Sequence, residues 1–206
     1  MIDEAGRGCL MARKGLLLVT MEPAPEHEDE FNAWYDSEHV PERLSVPGFE
    51  SARRFVSIEG FPRYLALYDL ARPEVLDSPA YLEVGGANSS PWTKRVTGRV
   101  RGYYRAPATQ LYPGNALTLG GARLTLLRFR GLGVDAERRI LEGLRASYEG
   151  RAETRQVRLF SAPGAGGLDY LGLVEARAPF AAAALDLASF GAAADALDLV
   201  NTYVPY

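Results

Sequence analysis

RLTLLRFR, at positions 123–130, alternates apolar and polar side chains as a half-buried strand does, and GLLLVTM, at 15–21, is an apolar run of strand length. Both runs are succeeded by the same series of local signals. After the first run Pro23 and Pro25 break the strand, and Glu26, Glu28, Asp29 and Glu30 gather where a helix dipole favours negative charge. That helix is expected to end near Val40, because Pro41 disfavours helical geometry in the residue before it. Val46, Pro47 and Gly48 make a turn, and 49–58 and 64–70 read as strands joined by a loop holding Gly60 and Pro62. Short helical stretches over 73–84 and 91–97 come next, the second led by Ser90 as N-cap with Pro91 behind it, and 100–105 is a fourth strand. After RLTLLRFR, positions 135–147 carry Ile140, Leu141 and Leu144 at helical spacing. Strands over 154–160 and 170–175 flank a turn at 163–167. An alanine-rich helix over 180–197 and a last strand over 199–204 complete the order.

The order β-α-β-β-α-β thus occurs twice, about 105 residues apart, as a repeat of pattern and not of residue identity. A lone unit of this ferredoxin-like kind has helices on one face of its antiparallel sheet and must bury the other face. A second sheet from the same chain does this. The expected fold is α+β: two tandem ferredoxin-like units packed sheet to sheet as an intramolecular barrel with pseudo-twofold symmetry. The alternative is two independent domains on a linker, for which Tyr112, Pro113, Gly114 and Asn115 are the best segment. The expected divisions are a mobile extension over 1–14, a first unit over 15–110 and a second over 111–206. Met11 is an alternative start to Met1.

With 47% hydrophobic and 24% charged residues, the chain has the composition of an ordinary globular protein able to build a core. A net charge of -3 leaves no electrostatic footprint for a polyanion, so nucleic acid is not an expected partner. No apolar run approaches a membrane span. The single cysteine, Cys9, excludes an intrachain disulfide and a thiolate metal cluster, and a cytoplasmic location is expected. Two histidines and one cysteine are too few for a dedicated transition-metal site.

On the first helix, at 100° per residue, Phe31, Trp34 and Tyr35 define an apolar face within roughly 50° of their common centre. Glu38 falls inside that stripe, and His39 lies on its edge beside Tyr35, Asn32 and Arg43. Asp36 points away. A glutamate among aromatics is costly to bury unless paired or protonated. Either Glu38 snorkels or pairs with Arg43, Arg53 or Arg54 while His39 caps its helix, or the two belong to a site. In the second case His39 is a general acid or base at the mouth of a cavity between helix and sheet. Glu38, Arg54 or a tyrosine then orients it or binds substrate oxygens. His27 is expected to be exposed, Tyr64 and Tyr68 to share a strand face, and Trp92 to pack. Of Tyr103 and Tyr104, at most one can reach a given cavity.

The run from Phe31 to Pro41 (FNAWYDSEHVP), with Val46, Pro47, Gly48 and Phe49 after it, resembles the EthD-like branch of the dimeric α+β barrel superfamily. The resemblance covers about 15–106; the second half is similar only in its order of elements. It implies a helix-to-sheet cavity whose histidine corresponds to His39. Relatives include cofactor-free cyclases, isomerases, quinone-forming monooxygenases and haem-binding chlorite-dismutase-like proteins. No histidine comes after His39, and Glu142, Gly143, Leu144 and Arg145 stand where the motif would recur, which argues for one site per chain and against the haem branch. The leading expectation is a cofactor-independent enzyme acting by proton transfer on a small molecule that is oxygenated or aromatic. Its catalytic residues would be His39 and Glu38, and its substrate-binding residues Tyr35, Trp34, Asn32, Arg54 and Tyr68. A non-catalytic ligand-binding or auxiliary protein, and a tandem barrel serving only assembly, are the rivals. Either a monomeric barrel or a homodimer of barrels fits.

Overall fold

The computed structural model describes residues 13–206, so the expected extension over 1–14 lies, but for Arg13 and Lys14, outside the described residues, as does Cys9. The strands are β1 Gly15–Glu22, β2 Phe49–Ser57, β3 Tyr64–Leu70, β4 Arg101–Tyr112, β5 Arg123–Leu132, β6 Thr154–Gly164, β7 Gly167–Ala176 and β8 Leu197–Pro205. They close into an antiparallel barrel in the order β1-β3-β2-β8-β5-β7-β6-β4. Each half supplies four neighbours, β4-β1-β3-β2 and β8-β5-β7-β6, and the halves meet at β2–β8 and β6–β4. Closure leaves no free sheet edge.

Period-two alternation sorts the side chains. Leu16 and Leu18 of β1 point into the barrel with Leu124 and Leu126 of β5, Leu65, Leu67, Phe160, Leu171, Leu173 and Tyr203. Leu17, Val19 and Met21 point outward under the helices of the first half. Leu127 and Phe129 do the same in the second. The fold is therefore α+β, with one core inside the barrel, drawn from both halves, and two outer cores beneath the helices.

One end of the barrel is closed by charge. Arg158 donates to Asp69 at 2.9 Å and to Glu175 at 3.2 Å, and all three side chains are buried. Asp69 lies opposite Leu16 and Glu175 opposite Leu124, so the two acids occupy corresponding places in the two halves. Arg53 and Arg158 also correspond, facing Leu67 and Leu173, yet Arg53 is exposed. The connection after β4 crosses this end: the Thr118 N–H donates to Asp69 at 2.9 Å and the Gly120 N–H to Glu175 at 2.8 Å. Ser51 and Gln156 supply further donors. A buried ion cluster survives only when its lone pairs are supplied in this way.

Over the first sheet lie α1 Glu28–Trp34, a π turn Tyr35–His39 and α2 Val40–Ser45, running on without a break, then α3 Pro79–Val84 and α4 Pro91–Thr97. Thus the helix does not end at Val40 as expected. The Val40 N–H bonds the Tyr35 carbonyl five residues back, and this widened turn sits just before Pro41. There the missing N–H and the ring's crowding of preceding carbonyls already work against regular α geometry. The second half has α5 Ala136–Tyr148. The alanine-rich helix expected over 180–197 is not formed. Instead 3₁₀ turns span Ala182–Ala184 and Leu187–Ala196, with Gly191 at φ +53° inside the second. Alanine's propensity is overridden by packing, because Phe190 lies on Phe129 at 5.2 Å and fills the space beside Gly143.

Candidate functional site

In a regular α-helix, Trp34 and His39 would point about 140° apart, at 100° per residue. The π turn brings residues five apart onto one face. His39 stacks on Trp34 with centroids 4.3 Å apart, and meets Tyr35 edge-on at 5.4 Å. Of the neighbours drawn for a uniform helix, Tyr35 and Arg43 lie near the His39 ring, and the π turn adds Trp34. Trp34 is wholly buried, and its indole N–H donates to Thr93 of α4 at 3.0 Å. The His39 Nδ1 is buried without a hydrogen-bond partner. Burial, and then the Arg43 charge, hold this imidazole's pKa at about 3, so it is neutral across the physiological range.

His39 lines a cleft of about 520 Å³ between the helices and the sheet. Leu17, Val19 and Met21 of β1 line its sheet side together with Tyr103 and Arg105 of β4. Trp34, His39 and Arg43 come from the long helix. Tyr81 of α3, with Thr93 and Lys94 of α4, lies opposite. Among the described residues, three cations and no carboxylate line this space. Arg43 is buried, donating to the Val84 carbonyl at 3.1 Å and lying over the Tyr81 ring at 5.3 Å.

The residues singled out by sequence divide into three groups. Trp34 and His39 line the cleft. Tyr35 and Tyr68 are buried beneath the helix, outside the lining, and the Tyr68 hydroxyl has no partner. Burial drives the pKa of both phenols upward. Asn32 and Arg54 also lie outside the lining. Arg54 donates to Asp36 at 2.6 Å and to Asn32, and lies over the rings of Tyr35 at 4.4 Å and Tyr206 at 4.0 Å. Its guanidinium clamps the helix to β2. Among the described residues Glu38 pairs with no arginine; it accepts hydrogen bonds from Ser90 at 2.5 Å and Thr93 at 3.4 Å, tying the π turn to the start of α4. Ser90 caps α4 as expected, accepting the Thr93 N–H. Trp92 is partly buried against the outer core of the first half, and His27 is half-buried.

Sequence reasoning missed Lys94, Tyr81 and Arg105 as cleft residues. The signal for Arg105 was present, since it shares a strand face with Tyr103 and not with Tyr104, which packs on the barrel core. In the second half the corresponding layer is filled by Ile140, Leu144, Tyr148 and Phe190. Among the described residues no group of three His, Cys, Asp or Glu side chains is placed to hold a metal.

The chain is thus a closed α+β barrel of two four-stranded sheets with a helix-to-sheet cleft. No family model matches the chain, and no curated protein matches it. Solved structures do. An anthrone oxidase-like protein aligns with a TM-score of 0.64 at 11% identity, over 94% of this chain and 91% of its own. A candidate monooxygenase of Lactobacillus acidophilus NCFM aligns at 0.53 and 11%, over 94% of each chain. A candidate chlorite dismutase aligns at 0.54 and 9%, over 95% of this chain and 96% of its own. At such identities the likeness is one of fold. No helix among the described residues is long and apolar enough to cross a membrane.

Proposed function

We propose that this chain is an EthD-like, cofactor-independent small-molecule enzyme that takes an acidic proton from an oxygenated, aromatic substrate with His39. The observation that carries the reading is His39 itself: a neutral imidazole lining a cleft, with one buried nitrogen left unpartnered. Buried polar atoms are nearly always hydrogen-bonded, and those that are not call for an explanation. The cleft volume is that of ordinary small-molecule sites. Proton transfer moves the substrate's C–H or O–H proton to His39 and leaves an enolate or phenolate beside an imidazolium. Arg43 stabilises the oxyanion as it forms. Isomerisation, cyclisation, dehydration and dioxygen-dependent oxygenation each begin with such a deprotonation. Support also comes from the fold, shared with proteins described as anthrone oxidase-like and as a candidate monooxygenase.

A pKa of about 3 is low for a general base, whose best value lies near the working pH. An incoming negative charge offsets the Arg43 field and raises it. The same low value favours the second reading, a non-catalytic binding protein in which His39 only accepts a hydrogen bond. Aromatic ketones and phenols that perturb Trp34 fluorescence, incubated with the protein in D₂O, separate the two. Deuterium uptake at the carbon α to the ketone, absent with His39→Ala, supports the enzyme; binding without exchange there supports the second reading.

A further inference from the structure

Tyr81 stands between two cations. The Arg43 guanidinium lies over its ring at 5.3 Å, and Arg105 donates to its hydroxyl at 2.9 Å. Lys94 enters the same cleft from α4, its ammonium bonded to the Ala87 carbonyl at 2.8 Å. Like charges across one aromatic ring repel one another, and the repulsion is strongest where water is thinned out. Among the described residues no carboxylate lies within salt-bridge distance of Arg105 or Lys94, and Glu42, 3.5 Å from Arg43, stands outside the cleft lining. Arg54 and Arg63, by contrast, are matched by Asp36, Glu22 and Glu28. In the cleft of this chain, acidic overall, Arg105 and Lys94 thus bring positive charge with no carboxylate partner among the described residues.

We infer that the cleft takes an aromatic carboxylate, its two oxygens held by Arg105 and Lys94 and its ring on the apolar floor of β1 beside Trp34. This rests on the reading of the cleft as a ligand site and adds the chemical class of what enters it. A planar carboxylate matches the two-pronged guanidinium, and Lys94 adds a mobile point charge. The floor of Leu17, Val19 and Met21 has no polar side chain to offer a small inorganic anion, which therefore fits less well than an anion carrying a ring. The ligand's charge also offsets the Arg43 field that opposes protonation of His39.

Calorimetric titration of the full chain with naphthoate, its neutral isostere naphthamide and inorganic phosphate tests this. Naphthoate is expected to bind at least about tenfold more tightly than the amide, and more weakly as salt is raised. Arg105→Gln and Lys94→Gln should each cut that preference several-fold. Arg95→Gln, which removes an exposed cation paired with Glu30 outside the cleft, should leave it unchanged. Equal binding of both naphthalene probes, or a preference that survives in both cleft variants, overturns the carboxylate assignment while leaving the cleft a ligand site. Phosphate binding more tightly than naphthoate overturns it too. If no probe binds at up to about 10 mM, the assignment and the ligand-site reading fall together.

Discussion

The imidazole of His39 lies over the indole of Trp34, 4.3 Å between centroids and 32° between planes, although the two are five positions apart. That contact exists only because the helix widens by one residue between them. The same indole is pinned to α4 through Thr93, so the orientation of His39 is inherited from the packing of two helices.

His39→Ala is expected to abolish ligand binding or turnover while changing stability at neutral pH by no more than about 1 kcal/mol, the scale of a lost cap. His27→Ala, outside the cleft, should do neither. Urea unfolding and a binding titration on the same samples decide it. A variant that unfolds early yet binds normally marks His39 as scaffold.

The pH dependence has a definite sign. His39 has a folded pKa of about 3 against an ordinary 6.5, so between those values the unfolded chain binds the extra proton. Stability therefore rises with pH across that window and levels off above 6.5. His39→Ala should flatten the slope between about pH 3 and 6.5, read as a smaller fall in Tm than wild type on acidification. Identical profiles would mean that the imidazole is not held neutral by its surroundings.

Trp34→Ala should cost about 3–5 kcal/mol, because it empties a fully buried site between helix and sheet. Trp34→Phe keeps most of the packing and loses the hydrogen bond to Thr93, about 1 kcal/mol. Trp92→Ala, at a partly exposed position, should cost less than Trp34→Ala. Chemical denaturation ranks the three.

How much of the fold was legible in the sequence depends on which forces act locally. RLTLLRFR and GLLLVTM announce strands because a side-chain period of two is written into any half-buried strand. Ser90 with Pro91 behind it announces a helix start because both act on their own backbone. The π turn left no such mark: Pro41 signals trouble with the helix, and ending it or widening it are equally local answers. Alanines over 180–197 favour a helix by propensity, yet the requirement that Phe190 reach Phe129 is set by a residue about sixty positions away. Arg158 reads as the polar face of a strand. Only barrel closure shows that this face is the inside.

Arg158→Leu should destabilise by about 3–5 kcal/mol at neutral pH, since it strands Asp69 and Glu175 as uncompensated buried charges. Thermal melts of the variant and wild type measure it. An Arg158→Leu protein as stable as wild type would show that the two buried carboxylates need no cation between them.

Residues 1–110 and 111–206, expressed separately, should each be insoluble or self-associate. The barrel core joins Leu16, Leu18, Leu65 and Leu67 to Leu124, Leu126, Leu171 and Leu173, and each fragment exposes its share. Two soluble monomeric fragments with independent melting transitions would overturn the shared core.

Asp69 and Glu175 hold equivalent places, and so do Arg53 and Arg158, yet one arginine is inside and the other is out. A true two-fold axis admits side chains in pairs or not at all. Two identical subunits could not place a lone guanidinium between their paired acids without adding its twin, whose charge and volume the same space would have to accept. A single polypeptide that supplies both halves is free of that rule. Each substitution then falls once and not twice, so one half can keep a cleft while the other closes its own over with Phe190.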